Sequence, residues 1–267
     1  SFLNELQRHA ELQSLALPGL LKPLWGSLRH GLIVSPWIAG TSPQRFDRRQ
    51  LRQLFETGTA LIAAGFFEWD FSPGNLLDDG QQLWLFDFGY MYRFDPLSQF
   101  NSAGRGTDCP QFHLAERIIG RNFSGQLLEL DAAAAEQALL DFIDEALQAY
   151  EALLECLSDR GASAPVRCWL QALMDDWRQG VARDPAGLFL KICWQAHASD
   201  LADDLRGRSC TPRTLLRADW LIRSAARQHA ELLRMGALTP AEATLDAAGL
   251  AAHYRQLAVR ARRYQLS

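Results

Sequence analysis

From about residue 131 to its end the chain reads as helix after helix, and that half decides the fold class before any motif is weighed. Residues 131–158 are rich in Ala, Leu and Glu, which lose little freedom on entering a helix. Pro165 and Thr211-Pro212 open two further helices, and roughly 187–206 reads as one between them. Thr239-Pro240-Ala241-Glu242 joins a capping box to a proline suited to the first helical turn. The last helix, near 248–264, carries Arg255, Arg260, Arg262 and Arg263.

The first half is more broken. Phe2, Leu6, His9, Leu12 and Leu15 mark one face of a helix over 2–17, which Pro18-Gly19 ends. GLIVSPWIAG is the clearest strand and exit. Ser42-Pro43 and Asp47 can start a helix whose apolar positions are Leu51, Leu54, Phe55, Leu61 and Ile62. Two short strands, at 75–77 and 83–86, flank Asp79-Gly80, a strong hairpin signal. Residues 90–112 lack a clear period and hold Gly104, Gly106 and Pro110, so a long loop is expected there. The predicted class is α+β, mostly α.

Composition closes several routes. At 267 residues, 48% hydrophobic and 22% charged, the chain can bury a core as one large domain or two lobes. A net charge of −4 speaks against a general nucleic-acid binder. The five cysteines are an odd number without a C-x-x-C pair, which argues against a zinc site or disulfide framework and for a reducing compartment, most simply the cytoplasm. No apolar run approaches membrane-spanning length.

The chemistry sits in EWDFSPGNLLDDGQQLWLFDFG, residues 68–89. Asp70 and Asn75 stand five apart, and Asp87 follows twelve residues later. Phosphoryl transfer from ATP needs a carboxylate to orient the acceptor hydroxyl and oxygen ligands for the Mg²⁺ that bridges the phosphates. A loop carrying Asp70 and Asn75, returned by a hairpin to a loop carrying Asp87, supplies both.

Through DFSPGN and DFG the chain resembles the protein-kinase-like superfamily. The resemblance is specific over about residues 50–90, loose over 1–50 and only architectural over 131–267. It implies a protein-kinase-like fold with a partial N-lobe at 1–40, the catalytic core of the C-lobe at 41–130 and a helical remainder at 131–267. Asp70 then resembles the catalytic aspartate, Asn75 the catalytic-loop metal ligand and Asp87 the principal metal ligand. Glu5, preferred to Glu11, is the implied partner of a phosphate-binding lysine. Backbone groups around Ser35, Trp37 and Ile38 would meet an adenine at the hinge. Leu114-Ala115-Glu116 is a weak match to the family's Ala-Pro-Glu, and His113 beside it is a candidate substrate ligand or an ordinary surface or loop residue.

The departures shape the expected substrate. Glu68-Trp69 stands where protein kinases have His-Arg, which leaves no obvious receiver for an activation-loop phosphate. Ser72-Pro73-Gly74 looks more like atypical and small-molecule kinases: ubiquinone-associated atypical kinases, RIO kinases, aminoglycoside and sugar kinases, and lipopolysaccharide-core kinases. No glycine-rich phosphate loop or matching lysine precedes the core, and Lys22 and Lys191 are the only lysines. Since the chain opens on Ser1 rather than Met, loss of the first N-lobe strands is the favoured explanation over a degenerate pseudokinase. The expected activity is a kinase, using ATP and Mg²⁺, with a hydroxyl-bearing small molecule, sugar or glycolipid as acceptor. The alternative is a pseudokinase acting as a binding scaffold. The basic last helix adds a peripheral membrane surface as a candidate partner, consistent with a cytoplasmic protein at the inner face of a membrane.

Overall fold

The elements run α1 (Phe2–Leu12), β1 (Trp25–Ser27), β2 (Leu32–Val34), α2 (Arg48–Ala63), β3 (Phe66–Phe67), a 3₁₀ turn (Pro73–Asn75), β4 (Leu76–Asp78), β5 (Leu83–Leu85) and β6 (Tyr92–Arg93). They continue with α3 (Leu114–Ile118), a π-helical turn (Ile119–Phe123), α4 (Ser124–Leu127), α5 (Ala132–Asp159), α6 (Ala164–Arg183), α7 (Pro185–Gly207), α8 (Pro212–Arg234), a 3₁₀ turn (Glu242–Thr244) and α9 (Ala247–Arg263). This computed structural model describes residues 2–100 and 113–266, so Gly104, Gly106 and Pro110 of the expected long loop lie outside the described residues. The class is α+β and mostly α. No described helix is long and apolar enough to cross a membrane.

Two compact units divide the chain: Ser1–Ile118 with Asp141–Asp176, and Ile119–Leu140 with Trp177–Ser267. In the first, α2 is the central support. Asp47 caps it by accepting from the Gln50 N–H at 2.7 Å, while the Gln50 side chain accepts from the Asp47 N–H at 2.9 Å. Its apolar face buries Leu51, Leu54, Phe55 and Leu61, and Phe55 meets Phe142 edge-on with ring centroids 5.0 Å apart. On the polar side, Arg48 and Arg52 both reach the buried Glu145 carboxylate.

The strands form three antiparallel pairs, β1–β2, β3–β6 and β4–β5, in registers that include Trp25↔Val34, Phe67↔Tyr92 and Leu77↔Trp84. The β4–β5 turn is fixed by Asp79, whose carboxylate accepts from the Gln81 and Gln82 amides and from the Trp84 indole. Flanking chain locks onto both of its edges: Leu21 N–H and Leu85 O are 2.9 Å apart, and Thr41 pairs with Asp78. At Gly40 the backbone comes so close that a Cβ there would lie 2.7 Å from the Asp78 carbonyl oxygen. The β1–β2 pair, by contrast, buries little. Leu24, Trp25, Leu28, Leu32, Val34 and Trp37 are all exposed, Trp37 by 91%.

In the second unit α7, α8 and α9 surround Trp194, Leu201, Leu221, Ala225, Leu250 and Ala258, with Trp194 edge-on to Tyr254 at 5.2 Å. Asp184 caps α7 through the Gly187 amide, and Asp246 caps α9 through the Gly249 amide.

Several sequence expectations change. The first helix stops at Leu12, not near 17: the Leu15 N–H turns back to Leu12 O, and the Lys22 ammonium holds the Gln13 and Leu15 carbonyls of the turn that follows. Asn75 belongs to the 3₁₀ turn rather than to a strand. The Thr239–Glu242 box does form both reciprocal hydrogen bonds, yet it closes only one 3₁₀ turn, and α9 begins at Ala247. The short strand β6 lies inside the stretch expected to be loop.

Candidate active site

The sequence between β3 and β4 turns sharply because Ser72, Pro73 and Gly74 follow an aspartate. Asp70 Oδ1 accepts from the Ser72 N–H at 3.1 Å, and Asn75 N–H returns to Ser72 O at 3.0 Å. The buried Asn75 then donates from Nδ2 to the Asp70 carbonyl at 3.1 Å. That bond occupies Asn75 Nδ2, while Asn75 Oδ1 and Asp70 Oδ2 take no hydrogen bond among the described residues.

Asp87 leaves β5 with φ +62°, in the left-handed region that Asp tolerates better than most side chains. Its Oδ1 accepts from the Gly89 N–H at 3.2 Å, and the side chain stays exposed. Phe88 points inward and packs against the His9 ring, centroids 4.9 Å apart. Asn4 of α1 donates to the carbonyls of Gly89 at 3.0 Å and Met91 at 2.9 Å. Thus α1 is tied to the Asp87-Phe88-Gly89 segment by one amide and one ring.

Electrostatics bring the carboxyl groups into one neighbourhood. Burial raises the Glu5 pKa, and the Asp87 charge raises it further. Glu5 lies 3.6 Å from His9 Nε2, whose own pKa is lowered by burial against the pull of Asp87. Glu11 faces elsewhere and pairs with Arg8 at 3.1 Å. Glu68 is 3% exposed, and burial pushes its carboxyl up to about 8; the Trp69 and Asp70 amides oppose the rise, and the Asp70 and Asp87 charges add to it. Its Oε1 accepts from the N–H of Trp69 at 2.8 Å and of Asp70 at 2.7 Å, and its buried Oε2 has no hydrogen-bond partner among the described residues.

Of the sequence-predicted residues, Glu5, Asp70, Asn75 and Asp87 therefore come together. The Ser35 and Trp37 side chains point into solvent and do not join them. The N–H groups of Trp37 and Ile38 make no hydrogen bond among the described residues, and the segment runs on to Gly40 against β4. His113 is a half-buried loop residue with its hydrogen bonds satisfied: Tyr150 accepts the Ala115 N–H, its hydroxyl lies 3.0 Å from His113 Nδ1, and that nitrogen also accepts from the Glu116 N–H. Burial lowers the His113 pKa to about 4, so the ring is neutral at pH 7.

Sequence reasoning missed the work of Glu68, Asn4 and His9. It also missed Arg117, which lies 5.5 Å over the Trp69 ring. Only Glu68 left a signal, a carboxylate inside the aromatic run Phe66-Phe67-Glu68-Trp69.

Among the described residues, no group of three or more His, Cys, Asp or Glu is arranged to hold a metal. The pair Asn75 and Asp87 offers oxygen atoms alone. That suits Mg²⁺, which keeps waters and phosphate oxygens and asks for only one or two protein side chains. Neither family models, nor curated proteins, nor solved structures give a match to this chain.

Proposed function

We propose that the chain is an ATP- and Mg²⁺-dependent phosphotransferase on a protein-kinase-like fold, moving the γ-phosphate to a hydroxyl of a small molecule, sugar or glycolipid headgroup. The observation that carries this reading is the pairing of a fixed Asp70, with Oδ2 open, to an oxygen-only Asn75 and Asp87 set across one hairpin. Asn75 and Asp87 would hold Mg²⁺, which when bound neutralises charge on the phosphates. Asp70 Oδ2 orients the acceptor hydroxyl and takes its proton as the acceptor oxygen bonds to the γ-phosphorus and the bond to the ADP oxygen breaks. The N–H groups of Trp37 and Ile38 suit an adenine edge.

One observation favours the rival reading, a nucleotide-binding scaffold. Lys22, the lysine nearest in sequence, is spent on the end of α1 and does not serve Glu5.

A thermal-shift titration with Mg²⁺-ATP beside an ATP-consumption assay separates the two, using wild type and Asp70→Ala. The enzyme reading expects near-normal nucleotide affinity in the variant and turnover lower by at least about 10²-fold. Joint loss of melting temperature and affinity would make Asp70 a loop cap and leave the scaffold.

A further inference from the structure

We propose that Glu68 is a positioning residue for Asp70, and that its buried carboxyl group sets the direction in which Asp70 Oδ2 meets the acceptor. The inference rests on the phosphotransferase reading for its catalytic half and on geometry alone for its structural half.

Three ties on the loop from β3 to the 3₁₀ turn bear on Asp70. Trp69 is wedged between the Phe67 ring, 5.0 Å away, and the Arg117 guanidinium. Asn75 holds the Asp70 carbonyl. Glu68 Oε1 gathers the two successive amides of Trp69 and Asp70 into one acceptor. Asn75 fixes the peptide plane that follows the Asp70 Cα, and Glu68 fixes the plane that precedes it. Two adjacent N–H groups converging on one oxygen permit little rotation, so Oδ1 stays on the Ser72 amide and Oδ2 stays turned away from it. A glutamate at this buried position is costly unless its carboxyl group performs such a task.

Two variants and two measurements test the idea in the full chain. Glu68→Ala removes the acceptor, and Glu68→Gln keeps an Oε1 with the same reach. Amide hydrogen exchange reads the clamp without any activity: Trp69 and Asp70 should exchange about tenfold faster in Glu68→Ala, the order expected for a lost buried hydrogen bond, and at the wild-type rate in Glu68→Gln. The second measurement is Mg²⁺-ATP consumption with water as acceptor. Glu68→Ala should lose about 10²-fold in kcat, the scale of a misplaced catalytic group, with KM for ATP nearly unchanged; Glu68→Gln should restore kcat.

Unchanged exchange in Glu68→Ala overturns the clamp. Faster exchange with unchanged kcat overturns the positioning role, as does a Glu68→Gln variant with intact amides and the alanine variant's kcat. A wild type that hydrolyses no ATP but shows the expected exchange pattern supports the clamp and overturns the catalytic half of the proposal for water as acceptor.

Discussion

His113 shows how one residue changes meaning once its neighbours are known. In sequence it sits beside a weak motif match and invites a substrate. In the fold its Nδ1 receives the Tyr150 hydroxyl, so the ring is held neutral. The folded-state pKa of about 4 lies below the unfolded value near 6.5. Protons therefore bind the unfolded chain better, and the stabilisation is whole above pH 6.5 and lost as pH falls towards 4. His197, lowered to about 3 by burial first and by Arg217 second, acts in the same direction. Melting temperature measured from pH 7 down to 4 should fall in the wild type and fall less steeply in His113→Gln. An equal slope in both would remove His113 from the acid response.

Among the elements, the β4–β5 hairpin joins the two loops of the proposed site and depends on a close backbone approach. Gly40 has room only for hydrogen beside the Asp78 carbonyl, so Gly40→Ala must push Thr41 off β4. A loss of about 1–3 kcal/mol is expected, as for other overpacked sites. Denaturant unfolding measures it, and a stability equal to wild type would mean that the edge yields without cost. The hairpin itself was legible because Asp79-Gly80 and the apolar residues around it are local signals. The helix α2 was legible for the same reason, through Asp47 and the spacing of Leu51, Leu54 and Phe55. What stayed hidden was set by partners distant in sequence. Lys22 holds the turn after α1 from ten residues beyond Leu12, and Asn4 reaches a segment more than eighty residues away. Residue type and spacing alone singled out Asp70, Asn75 and Asp87, which the fold sets on the two loops that β4 and β5 join. Glu68 could not be assigned its work, since nothing in FFEWD tells which atoms its carboxyl meets. The Thr239 box misled in the opposite sense, because a correct local cap needs a following apolar face before it can start a helix.

For the whole molecule, the proposed ligand gives a bulk readout. A ligand that binds only the folded state at about 100 times its Kd stabilises by about 2.7 kcal/mol. For a chain of this size that raises Tm by roughly 5–10 °C. Mg²⁺-ATP should produce such a rise, ATP with a chelator a smaller one, and Asp87→Asn should abolish most of the Mg²⁺-dependent part while keeping its own unliganded Tm close to wild type. A full shift in Asp87→Asn would exclude Asp87 as the principal ligand. The exposed β1–β2 pair matters at this scale too, through the behaviour of the protein as a colloid. A net charge of −4 gives copies only a weak mutual repulsion, and physiological salt screens it within about 8 Å. Against that stand six large apolar side chains in water and two strand edges with unpaired amides. The exposed apolar side chains of this segment thus add an attraction between copies that the small net charge opposes only weakly. Sulfate, which strengthens apolar association, should bring the protein out of solution at lower concentration than chloride does.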